Sequence, residues 1–528
     1  MSRYWYLHPL LFALYPALSQ FAFNAAENAI LFGVRVLLLS LVVGGLVLGL
    51  AWLAVREGHR AAFLASLSVL LLLVFGHLFN VARGAAVAGV TWGTRPVVLA
   101  ACVGVILLLG NGWVWKPIRN RGPVTLFMNV MALAAISWPV LRIGSFLTAA
   151  VVDSVKLREA PVRFEAVTLA PRDEQLPDIY YIILDGYGRA DILQEVLGVD
   201  TREFMQYLTS RGFYVASQAQ SNYSQTSLSM ASSLNLAYMD PLAERLGPRS
   251  RNREPLGELI RHSVVRDALE RAGYEMVALD SGHMYSQLKD ADRYLSAYPT
   301  TLNEMEGLWL STTVLAAVED PQALGLLLPS YDTHRTRVQF AFDTLRTAGH
   351  APGPQFIYAH IIAPHPPFVF DAHGAPVDPQ RPYWPGDGDS YRGSAEEYRT
   401  GYGQEVRFVN DQMKIVIDDI LRSADPPPVI IIQGDHGSGL HLSFSSVEQS
   451  CLRERMPVLN AYYFPGGGAG QLYPSITPVN SFRVVFNTVF DADLPLLPDF
   501  SYYSAWSTLY DFVAAGDGVN QPCGDAGT

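Results

Sequence analysis

Cysteine and basic clusters are both scarce in this 528-residue sequence. The formal net charge is −11 and no basic arm is visible, which argues against a nucleic-acid partner because such a partner requires a cationic face. No internal repeat is evident at any solenoid period. Of the three cysteines, Cys102 lies in an apolar run and behaves as a small hydrophobe. Cys451 and Cys523 are compatible with one disulfide in an oxidising compartment, or with two unpaired thiols.

Hydrophobic residues are abundant, at 50% of the chain, and the excess lies before residue 150. Crossing a membrane takes about 20 apolar residues in a helix. Five stretches approach that length: 9–23, 36–55, 61–81, 96–115 and 123–141. We therefore predict a transmembrane domain of about five helices over residues 1–150. The first stretch is short and contains Pro16, so a signal peptide is the alternative there.

The basic residues between these stretches predict the orientation, because short loops rich in Lys and Arg stay in the cytoplasm. One set of alternate loops carries five basic residues: Arg56, Arg60, Lys116, Arg119 and Arg121. The other set carries three: Arg35, Arg83 and Arg95. This bias predicts a multi-pass protein of the cell membrane whose chain after Asp153 lies outside, in a periplasmic or extracellular space.

The remainder divides into a linker at 151–176, which Pro161 and Pro171 interrupt, a domain at 177–515 and a tail at 516–528. Short β-rich runs alternate with amphipathic ones in the domain, which predicts an α/β fold. The predicted strands are 178–184, 274–279, 355–362 and 428–433, and the predicted helices are 256–272, 335–347, 396–423 and 479–490. Continuous apolar strands indicate a sheet covered on both faces.

Polar residues at the carboxyl ends of such strands converge on a ligand crevice. That rule selects Asp185, Asp280, the stretch after Ile362, and the turn Gly434-Asp435-His436-Gly437. The turn is the most specific of these, because its glycines allow close backbone approach beside a carboxylate and an imidazole. Carboxylates, an imidazole and a hydroxyl form a mixed O/N site suited to zinc or manganese.

A hydroxyl-rich segment at 221–235 supplies a candidate nucleophile. A hydroxyl at a helix N-terminus lies near the positive end of the dipole, and coordination to a metal lowers its pKa further. Thr226 is the leading candidate because it lies where the loop should become helix. Ser224, Ser227 and Ser229 are its rivals, and a plain helix start with capping hydroxyls is the alternative.

Together these motifs resemble the alkaline phosphatase superfamily, in the branch of lipoteichoic acid synthases, phosphoethanolamine transferases and sulfatase-like membrane proteins. The resemblance covers about residues 177–515, and it implies an α/β/α domain with a mostly parallel sheet behind a membrane helix bundle. It also implies one divalent metal, zinc or manganese, bound by Asp185, Thr226, Asp435 and His436. Thr226 would then be the nucleophile.

Three histidines are predicted to serve substrate binding. By analogy with the family, His365, followed by prolines and an aromatic, contacts the transferred group or moves a proton. His360 lies near a strand end and His283 follows Asp280-Ser281-Gly282, and each has a packed core residue as its alternative. His441 is predicted to lie on the surface.

The sequence differs from the superfamily pattern in two ways that reduce the number of possible activities. Neither Thr226 nor Cys451 has the Pro and Arg context of formylglycine sulfatases, and no His follows His441 to complete a second metal site. We therefore predict a membrane-anchored phosphotransferase that acts through Thr226 on phosphodiesters of a membrane lipid or lipid-linked substrate. The alternatives are a phosphoric or sulfuric ester hydrolase of the same superfamily and a non-catalytic membrane binding or scaffold protein.

Overall fold

The computed structural model describes most of the chain: residues 6–24, 30–82, 86–87, 90–91, 93–115, 121–170, 175–298, 304–318, 329–379, 381, 383, 391–465 and 469–523. The chain forms two compact units. One comprises Met1–Val151 with Thr300–Pro329, and the other comprises Val152–Pro299 with Ser330–Thr528.

The first unit is mainly helical. The elements before residue 160 are α1 (His8–Asn24), α2 (Ile30–Val55), α3 (Gly58–Leu73), α4 (Phe75–Ala82), the two-residue strands β1 (Ala86–Val87) and β2 (Val90–Thr91), α5 (Arg95–Trp115) and α6 (Gly122–Glu159). Residues 152–159 of α6 are assigned to the second unit. Among the described residues, two helices are long and apolar enough to cross a membrane, within α2 and α6. A third span results if α3 and α4, bent by 54°, count as one. The prediction of about five membrane helices is thus not confirmed.

Helix α6 runs 38 residues, through Pro139 and on to Glu159. It therefore occupies the first nine positions of the predicted linker, 151–159. Asp153, Lys156 and Arg158 interrupt the apolar pattern there but not the helix, because polar side chains are compatible with helical backbone. The first helix-breaking residue that follows is Pro161.

The second unit is built on a seven-stranded sheet. Its strands are β3 (Ile179–Leu184), β4 (Tyr214–Val215), β5 (Glu275–Leu279), β6 (Arg293–Leu295), β7 (Gln355–Ile361), β8 (Val429–Gln433) and β9 (Asn460–Tyr463). They are ordered β4-β9-β8-β3-β7-β5-β6. The pairs formed by β8, β3, β7, β5 and β6 are parallel, and β9 pairs antiparallel with β8 and β4. The predicted α/β class with a mostly parallel sheet is confirmed.

The helices after residue 160 connect and cover these strands, except the helix at Glu304–Thr312, which belongs to the first unit. In chain order they are α7 (Ala190–Ile192), α8 (Arg202–Ser210), α9 (Thr226–Leu234), α10 (Asp240–Leu246), α11 (Glu254–Arg261), α12 (Val264–Arg271), α13 (Glu304–Thr312), α14 (Tyr331–Leu345), α15 (Ala395–Ser423), α16 (Leu452–Arg455) and α17 (Pro478–Phe490). A small hairpin, β10 (Tyr502–Tyr503) with β11 (Val513–Ala514), follows α17. The single helix predicted at 256–272 is two helices, because Ser263 caps α12 by accepting from Arg266 N.

The central strand β3 is buried along its whole length. Because successive side chains of a strand point to opposite faces of the sheet, they pack alternately in two apolar clusters. Tyr181 and Ile183 pack in one cluster, with α9 and α17. Ile182 and Leu184 pack in the other, with α14 and α15. Helices on both faces thus hold the strand ends fixed at one edge of the sheet.

Helix α13 belongs to the first unit although its sequence lies within the predicted catalytic domain at 177–515. Met305, Trp309 and Leu310 are buried there beside Phe21 and Val36. Glu306 forms an ion pair with Arg35 at 2.8 Å. The structural units therefore differ from the predicted domains, because residues 300–329 are part of the first unit while the chain before and after them is part of the second.

Candidate functional site

Three neighbouring parallel strands deliver the candidate site residues to one edge of the sheet. Asp185 follows β3, and its N–H donates to Ile361 O at the end of β7 at 2.9 Å. Asp435 and His436 follow β8, whose residues pair in register with β3. Because the strands are parallel, their carboxyl ends lie side by side.

The carboxylates of Asp185 and Asp435 are buried, at 2% and 0% exposure. Asp435 Oδ1 accepts from the N–H groups of Gly186 at 3.0 Å and His436 at 2.9 Å. Among the residues that the structure describes, none donates a hydrogen bond to Asp185 Oδ1 or Asp435 Oδ2. Buried carboxylate oxygens without a partner are costly, so these two atoms indicate a place for a cation.

His436 presents a lone pair to the same place. Its Nδ1 lies 3.0 Å from Gly437 O and must donate, because a carbonyl can only accept. That tautomer leaves Nε2 as the acceptor. Burial, together with the charge of Arg455, lowers the pKa of His436 to about 4. The ring is therefore neutral near pH 7, the state in which imidazole binds metals.

Thr226 opens helix α9, and its Oγ1 lies 3.1 Å from His436 Nε2. It is half-buried, whereas Ser224, Ser227 and Ser229 are 2%, 4% and 1% exposed. Ser229 Oγ donates to Asp435 O at 2.7 Å. Thr226 is thus the one hydroxyl of the four that is both accessible and directed at the imidazole.

These donors fit a divalent cation. His436 Nε2 lies 3.3 Å from Asp435 Oδ2 and 3.6 Å from Asp185 Oδ1. A neutral imidazole lone pair facing two carboxylate oxygens is repulsive unless positive charge lies between them. One atom of each of these three residues lies within 4.8 Å of the others, and Thr226 adds a hydroxyl. Two carboxylates, one imidazole and one hydroxyl match the donors that zinc and manganese accept.

His360 lies behind Asp185 within β7. It is 1% exposed, with Nε2 3.2 Å from Asp185 Oδ2 and Nδ1 2.7 Å from Ser286 Oγ. Such a ring orients a metal-binding carboxylate and has no surface for substrate, so its predicted substrate contact does not match the geometry. Burial would raise the pKa of Asp185, but His365, the His360 hydrogen bond and His436 hold it well below its usual range.

His283 and His365 lie on either side of this centre. The His283 ring is half-buried, 5.9 Å from that of His360, and burial followed by His360 lowers its pKa to about 4. The His365 ring is half-buried, 6.2 Å from that of His436, with Nδ1 2.7 Å from Pro366 O. Because Nδ1 of His365 donates to this carbonyl, Nε2 is the acceptor nitrogen of the ring.

Asp280, selected by the strand-end rule, is a structural carboxylate. It is 6% exposed, and its oxygens accept from Gly282 N, Gln287, Tyr294 and Ser296. Arg337 completes the set at 3.3 Å. With these donors in place, Asp280 is saturated and offers no oxygen to a metal.

The prediction that His441 lies on the surface is wrong. Its side chain is 10% exposed, and Nδ1 lies 2.6 Å from Glu454 Oε2. Nearby, Cys451 and Cys523 form a disulfide that closes 72 residues of chain. Cys523 is thus unable to act as a metal ligand beside His441 and Glu454.

Sequence reasoning missed two buried charged residues that support the site, Glu454 and Arg455 in α16. Glu454 accepts hydrogen bonds from Ser438, Leu440 and His441. Their sequence, Leu452-Arg453-Glu454-Arg455, has the charge density of an exposed helix, so no local signal marks them. Only the fold reveals that they face inward.

Comparison with known proteins identifies the family to which the chain belongs. The family model described as Sulfatase matches residues 177–484, more than half of the chain. None of the curated proteins compared with the chain matches it.

Several solved structures are similar. The C-terminal periplasmic domain of EcEptC from Escherichia coli in complex with zinc is 9% identical, covering 68% of this chain and 100% of that one, with a TM-score of 0.42. The integral membrane lipooligosaccharide phosphoethanolamine transferase A from Neisseria meningitidis is 12% identical, covering 91% and 95%, with a TM-score of 0.40. The phosphonate monoester hydrolase of Agrobacterium radiobacter is 15% identical, covering 62% and 80%, with a TM-score of 0.39.

All three TM-scores are below 0.5, so the family match carries the assignment. The resemblance noted in the sequence is confirmed, and the coarse function that follows is transfer or hydrolysis of phosphoryl or sulfuryl groups. This chain belongs to the sulfatase family of the alkaline phosphatase superfamily and is an enzyme.

Proposed function

We propose that the protein is a metal-dependent phosphotransferase that uses Thr226 as nucleophile on phosphodiesters of membrane lipids. The observation that carries this proposal is the position of Thr226 Oγ1, 3.1 Å from His436 Nε2. The same nitrogen faces Asp185 Oδ1 and Asp435 Oδ2, two buried carboxylate oxygens that have no donor among the described residues. A half-buried hydroxyl at a helix N-terminus, in contact with a candidate metal ligand, is the arrangement of an activated nucleophile.

Asp185, Asp435, His436 and Thr226 would hold the divalent cation, with zinc or manganese as the candidates. When bound, the cation lowers the pKa of the Thr226 hydroxyl and offsets negative charge at the reacting phosphoryl group. Asp435 is oriented for this by two backbone N–H groups, and Asp185 by His360. The site therefore needs little reorganisation before it reacts.

The transfer has two steps. Thr226 Oγ1 bonds to phosphorus while the bond between phosphorus and the leaving alcohol's oxygen breaks, and the proton that Thr226 loses ends on that leaving oxygen. An acceptor alcohol then takes the phosphoryl group from Thr226 and restores the hydroxyl. His365, whose ring is 6.2 Å from that of His436, contacts the phosphoryl oxygens or supplies the proton.

A lipid substrate is supported by the apolar helices of the same chain, two of which are long enough to cross a membrane. We further propose that the chain crosses several times and that the catalytic unit lies on the periplasmic or extracellular side. Phosphodiesters are preferred over sulfate esters because Thr226 lacks the Cys or Ser, Pro and Arg context of formylglycine sulfatases.

The test is mass spectrometry of the full-length protein after incubation with a membrane lipid extract and zinc. We expect an added phosphoryl-containing mass on the peptide that contains Thr226. Thr226→Ala should abolish the adduct and lower turnover of a chromogenic phosphodiester by about a thousandfold or more. Thr209→Ala is the matched control, because Thr209 is exposed and its side-chain hydroxyl donates to Met205 O at 2.9 Å, within the same helix.

Full turnover by Thr226→Ala, or an adduct on another residue, would refute the threonine mechanism. Adding glycerol as an acceptor alcohol separates the two activities. A transferase yields the glycerol product, whereas the alternative hydrolase yields only the product of water attack. A chromogenic sulfate ester, assayed in parallel, should not be turned over.

A further inference from the structure

Arg455, the last residue of α16, carries a buried charge close to the candidate metal centre. Its side chain is 5% exposed in the folded protein, and burial lowers the pKa of the guanidinium. No carboxylate of the described residues forms an ion pair with Arg455, although Asp435 and Asp185 attract it at longer range. Burying a charge is costly, so its retention here requires a specific use.

The guanidinium bonds two carbonyls from separate loops. Its Nε donates to Ser224 O at 2.8 Å, and its Nη1 donates to Gly437 O at 3.1 Å. Ser224 lies two residues before Thr226, and Gly437 directly follows His436. Gly437 O also accepts from His436 Nδ1, so the bond from Arg455 ends on the atom that fixes the imidazole tautomer.

Gly437 can take part because it has no side chain. A Cβ at this position would lie 2.2 Å from Glu454 O and 3.0 Å from Arg455 O. The backbone of the Asp435-His436-Gly437 turn is therefore packed directly against α16. Ser221 and Ser229 add two neutral bonds to Asp435 O, at 2.5 and 2.7 Å. Arg455 supplies charged donors to carbonyls of both loops, which form stronger bonds, and its planar fork reaches the two acceptors at once.

We propose that Arg455 is a positioning residue that sets the separation between Thr226 and His436 by holding Ser224 O and Gly437 O in one plane. This rests on the proposed function for its catalytic consequence, since Arg455 acts through the two loops and does not touch the substrate. Its guanidinium also keeps the two loops together through bonds that require no bound cation.

The experiment compares Arg455→Gln and Arg455→Lys with wild type in the full-length protein. At saturating zinc, we expect Arg455→Gln to lower kcat about 10–100-fold with KM within threefold, as for residues that orient metal ligands. Arg455→Lys keeps the charge but cannot span both carbonyls, so it should recover part of this loss. Arg453→Gln is the matched control, because Arg453 lies on the same helix and its ion pair with Glu195 is solvent-exposed.

Hydrogen exchange of backbone amides tests whether Arg455 holds the two loops, and it does not depend on catalytic activity. In Arg455→Gln, the amides of residues 221–229 and of residues 434–441 should both exchange faster than in wild type. The amides of the sheet strands should exchange at the wild-type rate. If Arg455→Gln unfolds, Arg455→Lys decides by the same measurement. Unchanged exchange in both loops, kcat within twofold of wild type, or a loss confined to KM would overturn the proposal. Full activity of Thr226→Ala would instead refute the proposed function, and exchange would still decide the role of Arg455.

Discussion

Glu454→Gln is the sharpest test of how the fold supports the candidate metal centre. The Glu454 carboxylate is 1% exposed, and each oxygen accepts two hydrogen bonds. Oε1 accepts from Ser438 Oγ at 2.6 Å and Leu440 N at 2.7 Å. Oε2 accepts from His441 N at 2.9 Å and His441 Nδ1 at 2.6 Å. All four donors lie in the segment that directly follows His436 and Gly437.

Glutamine preserves the shape but replaces one oxygen with an NH₂ group, which cannot accept. Whichever oxygen is replaced, one backbone N–H, of Leu440 or of His441, loses its bond to a charged acceptor, which contributes about 1.5–3 kcal/mol. The expected loss is therefore at least about 1.5–3 kcal/mol. Because the affected donors lie in residues 438–441, the loss falls on the segment that holds His436.

The assay is zinc competition against a chelator, together with the thermal unfolding of the full-length protein. We expect Glu454→Gln to weaken zinc binding about 10–100-fold, as for residues that orient metal ligands, and to lower the unfolding temperature. Glu448→Gln is the control, since Glu448 is exposed and its carboxylate accepts from the nearby Ser446 Oγ at 2.6 Å. Wild-type zinc affinity and unfolding temperature in Glu454→Gln would refute the reasoning.

Two further predictions concern stability. Burial, opposed by a hydrogen bond from Gln355 N, raises the pKa of Asp178 to about 6. Because the pKa is raised in the folded state, the protonated carboxyl stabilises the protein at pH 4, and this stability is lost as pH rises through about 6. Asp178→Asn should therefore be more stable than wild type at pH 8, by about 1 kcal/mol after discounting for partial exposure. At pH 4 the two proteins should be equally stable. Thermal unfolding at both pH values checks this, and a gain at pH 4 as large as at pH 8 would contradict it. Replacing Cys451 and Cys523 together by Ser opens a closure of 72 residues, which corresponds to about 4 kcal/mol of chain entropy. The unfolding temperature of the double Ser variant should fall below that of wild type. An unfolding temperature equal to that of wild type, measured under the same conditions, would contradict this prediction.

The sheet was predictable because its central strands are buried on both faces. Such strands appear as unbroken apolar runs, as in Ile179–Leu184, and the polar residue that follows each run marks the site edge. Edge strands carry no such signal. Tyr214–Val215 and Arg293–Leu295 are too short for alternation to show, and they depend on neighbours that are distant in sequence.

The residues of the candidate site also fall into those that a local sequence pattern marks and those that it does not. Asp185, Asp435 and His436 were found because each lies just after a recognisable strand, and Thr226 because hydroxyls concentrate around it. Glu454 and Arg455 could not be found, because most of their partners are backbone carbonyls and N–H groups of other loops, and only the fold brings the Ser438 and His441 side chains to Glu454. A charged side chain bonded to backbone leaves no complementary residue type to recognise in the sequence.

The excursion of residues 300–329 into the first unit has a practical consequence for anyone who expresses the enzyme. A fragment that starts at residue 177 would still contain helix α13 but none of the helices that cover Met305, Trp309 and Leu310. Those apolar side chains would meet water and favour aggregation. A water-soluble catalytic fragment therefore requires replacement of this excursion by a short polar connection as well as removal of the amino-terminal helices.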